Sequence, residues 1–385
     1  MRNMSVLLSQ LSLPSSTFAC GPGQALRAVR CTPLAQTRFE RNHRAPDIVR
    51  EVYQQAAEEL KKLLHLSNEH TVCFFPGGAS PAMDAVLWNL AQDTLSGLAF
   101  GEFSNRWALA MAARIPGLKN SVRLTPPGTL IPTQEPDYNS SLIVLTPNET
   151  STGVQLPDEY LTSVWQQRGP DTLVAWDATS CAGGRQLPQG AWDILLFSLQ
   201  KCFGATGGTG VLILNEKAAA RLSAPVRPIP YTLDLTRAVE LARKFQTVNT
   251  PNTTAIWQCC QAARWMNEHG GLAAMDGLCR QHARWLTDWA SKTDFIRPLV
   301  PDEKFRSYTT LTLQLTDPHL PADAINQALA DTGLANLQDG LKRHPYAPEN
   351  SLRVSCFPFV DTDGTEQYQK LTAALNEIVR RLRTN

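Results

Sequence analysis

Apolar side chains recur at helical spacing from Ile48 to Leu66, with Val49, Val52, Ala56, Leu60, Leu63 and Leu64 on one face. The run TVCFF comes next and, bounded by PGGAS, predicts a strand; AMDAVLWNLA then returns to the helical period. The runs SLIVLTP, TLVAWDA, DILLFSL and GTGVLILN have strand length and alternate with helical stretches. That alternation predicts an α/β fold whose large domain holds a mainly parallel sheet. From about Ile256 the texture changes. Two long helical stretches, AIWQCCQAARWMNEHGG and MDGLCRQHARWLTDWAS, are followed by strand-like YTTLTLQL, a helix near ADAINQALADTG, strand-like SLRVSCF and a helix near EQYQKLTAALNEIVRRL. These predict a smaller C-terminal α/β domain over residues 261–385, a large domain over 25–260, and an opening segment 1–24 that packs with the small one.

Composition narrows the class. A chain of 385 residues exceeds what one hydrophobic core usually covers, which supports the two-domain division. Apolar residues make up 43% and charged residues 18%, as in an ordinary globular enzyme. The formal net charge is +1 and basic residues cluster no further than pairs such as Arg380-Arg381, so nucleic-acid or membrane-surface binding has no electrostatic support. No apolar run approaches a membrane span. The opening MRNMSVLLSQLSLPSSTFAC imitates a secretory leader only weakly, because Ser9, Gln10 and Ser12 interrupt its apolar part. The nine cysteines lack metal-ligand spacing, and reduced thiols in a cytoplasmic protein are expected, with no metal site.

Candidate chemistry gathers where apolar runs end. In LLFSLQKCFGATGGTG, Lys201 stands just past a buried strand, where desolvation lowers an amine's pKa and frees it as a nucleophile. A lysine snorkelling from a strand end would look the same, and GATGGTG could be a hairpin turn. Asp177 ends LVAWDA, as a turn former or as the partner of a protonated ring nitrogen. FFPGGAS joins a strand to a helix, and its backbone at Gly78, Ala79 and Ser80 could cradle a phosphate at the helix N-terminus, although Gly-Gly turns before helices are common. Taken together, a phosphate cradle, an aspartate and a lysine at successive strand ends are the set that pyridoxal phosphate needs.

The motifs FACGPGQAL, RNHR, GGAS, TPNETSTG, WDATS, SLQKCFGATG, VNTPNTTAIW and SLRVSCF occur in an order that resembles the class V, fold-type I pyridoxal-phosphate aminotransferases, and among them the phosphoserine aminotransferase family. The resemblance implies that Lys201 carries pyridoxal 5'-phosphate as an imine and that Asp177 pairs with its ring nitrogen. It implies cofactor contacts from Gly78, Ala79, Ser80, Thr150 and Gln200, with Asn249 and Thr250 reaching the cofactor of a neighbouring subunit in a homodimer. The segment GEFSNRW offers Phe103 or Trp107 to stack on the cofactor ring. Arg353 would hold the substrate α-carboxylate, with His43, Arg44, Arg343 and His344 around its distal anionic group. The implied reaction moves an amino group between glutamate and an anionic 2-oxo acid, 3-phosphohydroxypyruvate in this family's role in serine biosynthesis.

The chain departs from the family at GLKRHPYAPENSLR, where Pro345 stands in place of an arginine and the loop is longer. Two alternatives stay open: an aminotransferase specialised for another acceptor, and a lyase of the cysteine desulfurase type, for which Cys356, just after Arg353 in the strand-like SLRVSCF, is the candidate cysteine, with packing in the core as its plainer reading.

Overall fold

A computed structural model describes residues 12–30, 44–125, 132–330, 338–339 and 350–384. Its strands are β1 (Thr71–Pro76), β2 (Thr94–Ala99), β3 (Lys119–Asn120), β4 (Arg123–Leu124), β5 (Leu142–Leu145), β6 (Asn148–Glu149), β7 (Val154–Gln155), β8 (Leu173–Asp177), β9 (Ile194–Ser198), β10 (Thr209–Leu214), β11 (Ile296–Pro298), β12 (Thr310–Leu315), β13 (Gln338–Asp339) and β14 (Ser351–Ser355). The large sheet runs β1-β10-β9-β8-β5-β2-β3, with β4 also on β2. From β9 through β8 and β5 to β2 every pairing is parallel, and β10 alone lies antiparallel to its neighbours β1 and β9. The glycine-rich GATGGTG therefore does connect an antiparallel pair.

Successive strand residues point to opposite faces, and both faces of this sheet are covered, which is why its strands read as unbroken apolar runs. Phe74, Ile143, Val174, Trp176, Leu195 and Phe197 pack on one side against the helices Gln55–Leu63 and Thr253–Glu268. Cys73, Leu142, Leu173, Ala175, Ile194 and Leu196 pack on the other, against the helices Ala79–Leu90 and Leu235–Ala242. The helix predicted to reach Leu66 stops at Leu63. His65 takes a left-handed backbone (φ 52°), and the N–H groups of Leu66 and His65 satisfy the carbonyls of Lys61 and Lys62. That pair of bonds is a Schellman closure with histidine in the usual glycine position.

A second sheet, β11-β12-β14-β13, is antiparallel throughout. Its core joins Leu311, Leu313, Leu352 and Val354 to the helices Gly271–Ser291 and Glu366–Leu382. The helix Gly271–Ser291 belongs to both cores: Leu272 and Met275 face the large sheet, Cys279 and Leu286 the small one. Phe18, from the opening segment, is buried beside Tyr368 with ring centroids 5.2 Å apart, and its carbonyl accepts from the Ser355 N–H at 2.9 Å.

Candidate active site

Because β10 runs antiparallel to both β1 and β9, β1 points the same way as the parallel strands. The carboxyl ends of β1, β2, β5, β8 and β9 thus open on one edge of the sheet, the edge where α/β folds place ligands. A cavity of about 190 Å³ lies there. It is lined by Gly78, Ala79 and Ser80 after β1, Phe103 after β2, Thr150 after β5, Asp177 at the end of β8, and Gln200 and Lys201 after β9.

Lys201 is held from outside the sheet. Its Nζ donates to the carbonyl of Cys20, and the Gly23 N–H donates to the Gln200 carbonyl at 2.6 Å, so the opening segment closes over the loop. Desolvation depresses the Lys201 pKa, and the charge of Arg353 depresses it further against the opposing effects of Cys20 and Asp177. A depressed amine is the form that attacks a carbonyl.

Asp177 is buried at 2% exposure, and burial pushes its carboxyl up to about 6 despite two hydrogen bonds from Thr179, one of them the backbone N–H at 3.0 Å. A carboxylate so placed gains most from a cationic partner in the cavity. Behind it lies a carboxylate that the sequence did not single out. Glu149 is fully buried and accepts from the N–H groups of Ser104 (2.8 Å), Ser151 (3.1 Å) and Phe103 (3.4 Å) and from the Ser151 hydroxyl (2.7 Å). It ties the turn after β2 to the turn after β5. Gly101 makes room for it, since a Cβ there would stand 2.4 Å from the Glu149 carboxyl carbon.

The turn after β1 is built for close approach. Gly78 has φ 87°, and a Cβ on it would meet the Ser198 hydroxyl at 2.9 Å. The helix Ala79–Leu90 begins at once, with its dipole toward the cavity and no acidic residue in its first turn. The Ser198 hydroxyl accepts from the Ala79 N–H at 3.1 Å. Of the described residues that line the cavity, Gln200 and Asn148 have a buried side-chain oxygen without a hydrogen-bond partner. Unpartnered polar atoms around a cavity with a glycine turn, an amine and a carboxylate fit a polar, phosphorylated planar ligand such as pyridoxal phosphate.

The remaining predicted residues divide. Phe103 faces the cavity, with the Lys201 Nζ 6.0 Å from its ring centroid. Trp107 is 1% exposed within the core that also holds Met83 and does not line the cavity. Four residues apart on an α-helix the two would share a face, but the chain passes into a π-helical turn over Arg106–Met111 and the register changes. Arg353, on β14, is buried and near enough to act on the Lys201 amine, but lies outside the cavity wall. Asn249 lies beside Phe74 and Gln246 in a separate crevice, Thr250 is exposed, and neither reaches this chain's cavity. Arg44 is exposed and away from it; His43, Arg343 and His344 lie outside the described residues. Glu149 and Arg106 are the additions that the sequence left unassigned. Their only signal was membership of TPNETSTG and GEFSNRW, because a buried or cavity-facing charge is recognised from partners that the fold brings.

Comparison with known proteins agrees with this geometry. Residues 36–358 match the family Aminotransferase class-V. The chain is 30% identical to the phosphoserine aminotransferase of Corynebacterium glutamicum (strain R), over 98% of each chain. It is also 30% identical to that of Nocardioides sp. (strain ATCC BAA-499 / JS614), over 95% of this chain and 96% of the relative. The crystal structure of a phosphoserine aminotransferase from Cytophaga hutchinsonii superposes with a TM-score of 0.83 at 26% identity, covering 94% of this chain and 98% of that one. With lysine, aspartate and glycine turn gathered at one sheet edge, the chain belongs to the class-V aminotransferases, enzymes that work with pyridoxal phosphate.

Proposed function

We propose that this aminotransferase moves an amino group between glutamate and an anionic 2-oxo acid, and that its reaction is phosphoserine:2-oxoglutarate transamination with 3-phosphohydroxypyruvate as acceptor. The observation that carries the reading is the sharing of one cavity by Lys201, Asp177 and the Gly78–Ser80 turn. Pyridoxal phosphate, when bound, supplies an electron-withdrawing ring and carries the amino group between half-reactions. In this reading Lys201 is its covalent anchor, and the freed amine then moves the proton at the substrate α-carbon, a task suited to a depressed pKa. Asp177 keeps the proton on the ring nitrogen. Ala79, Ser80 and Gln200 hold the phosphate, Thr150 gives a further hydrogen bond, and Phe103 covers the ring. Arg353 receives the substrate α-carboxylate as a bidentate pair. Asn249 and Thr250, which do not line this chain's own cavity, complete the site of a second copy in a homodimer in this reading.

The names of the relatives support the phosphoserine assignment. Pro345 supports a second reading, an acceptor other than 3-phosphohydroxypyruvate, because the family's arginine is missing there. Cys356 does not support a desulfurase reading: it is fully buried in the small-sheet core, and burial raises its thiol pKa far above the ordinary range. The deciding experiment gives the purified enzyme L-glutamate with 3-phosphohydroxypyruvate, oxaloacetate, glyoxylate or pyruvate. A kcat/KM at least tenfold higher for 3-phosphohydroxypyruvate is expected; preference for any other acceptor would replace it.

A further inference from the structure

The geometry points to Arg106 as the cation that binds an anionic group of the ligands in this cavity, a role that rests on the proposed aminotransferase reading. Arg106 lines the same cavity as Lys201, Asp177 and Phe103. Its guanidinium carbon is 5.3 Å from the Phe103 ring centroid, and Lys201 Nζ is 6.0 Å from the same centroid. The two cations that line the cavity among the described residues thus both lie close to one ring. The chemistry commits the Lys201 amine to the cofactor, which leaves Arg106 as the permanent positive charge on the wall.

Arg106 is anchored for such a role without being saturated. Glu102, one helical turn earlier, accepts from its Nη2 at 2.8 Å, and no other acceptor contacts its guanidinium among the described residues. The side chain keeps 42% exposure, so a fork of N–H donors remains for an incoming oxyanion, the geometry in which arginine binds phosphate and carboxylate best. The backbone aids the placement. Glu149 fixes the first turn of this helix through the Phe103 and Ser104 N–H groups, and the π-helical turn starting at Arg106 sends Trp107 into the core while Arg106 stays on the cavity side. The bare alternative is a solvent-facing Glu102–Arg106 pair, whose loss would alter no ligand affinity.

Two anions meet this description, the cofactor's phosphate and the second acidic group of the amino-acid substrate, and one pair of variants separates them. Arg106→Met removes the charge and keeps the stem; Arg106→Lys keeps the charge. Each apoprotein is titrated with pyridoxal phosphate and with unphosphorylated pyridoxal, and each holoenzyme with L-glutamate, O-phospho-L-serine and L-alanine. If the cofactor phosphate is the partner, Arg106→Met weakens pyridoxal phosphate about ten- to a hundredfold and leaves pyridoxal unchanged. If the substrate is the partner, cofactor affinity stays within about twofold, glutamate and phosphoserine weaken about ten- to a hundredfold, and alanine does not. Arg106→Lys recovers part of the loss in either case. Affinities within about twofold across all five compounds, or a loss equal for charged and uncharged compounds, would overturn the inference. Failure of the unaltered protein to bind pyridoxal phosphate covalently would instead reject the aminotransferase reading.

Discussion

Lys201 and Asp177 are both removed from water, and burial moves each toward its neutral form: the amine down, the carboxyl up to about 6. For Asp177 this has a measurable cost in the apoprotein. A carboxyl whose pKa rises on folding favours the fold fully below the unfolded value near 4 and loses that contribution as pH rises through about 6. Asp177→Asn, which can still accept from Thr179, is therefore expected to stabilise the apoprotein by about 3 kcal/mol at pH 7. The gain should vanish as pH falls to 4. Urea melts of both apoproteins across that range check it, and a constant difference would reject the assignment. These two residues were legible because each interrupts an apolar run at its end. Glu149 and Arg106 were not, since Glu149 matters through N–H groups of the segment after β2, and Arg106 through a cavity whose other walls follow other strands.

At the scale of elements, the strands were readable because a sheet buried on both faces leaves unbroken apolar runs. Direction was only half readable: GATGGTG allowed a hairpin between DILLFSL and GTGVLILN, but the alternation of runs pointed to a mainly parallel sheet, and the pairing itself shows β10 reversed against β9. That reversal gives the site a consequence, for it lays the Thr209 end of β10 beside Gly78, where the two residues bridge. A side chain at Gly78 would collide with Ser198 in a backbone region that disfavours L-residues. Gly78→Ala is expected to cost about 1–3 kcal/mol of stability and to weaken cofactor binding more than tenfold. Thermal melts and pyridoxal-phosphate titration read both, and an unchanged cofactor affinity would show that the turn does not touch the phosphate.

The whole molecule closes its site with distant parts of the chain. The opening segment covers the Lys201 loop through Cys20 and Gly23 and anchors Phe18 under the small sheet, while Arg353 approaches from β14. The proposed second subunit would add Asn249 and Thr250. Mixing Lys201→Ala protomers with Asn249→Ala/Thr250→Ala protomers is then expected to restore activity, because one site of each mixed dimer is complete; mixtures as inactive as their components would argue for self-sufficient chains. Most directly, the account stands on a single-turnover half-reaction. L-Glutamate and O-phospho-L-serine are added separately to the loaded enzyme, and the absorption of the bound cofactor is followed, with Lys201→Ala alongside. Rapid spectral conversion by both amino acids, and none by Lys201→Ala, is the predicted result; no conversion by either, or undiminished conversion without the Lys201 amine, would contradict it.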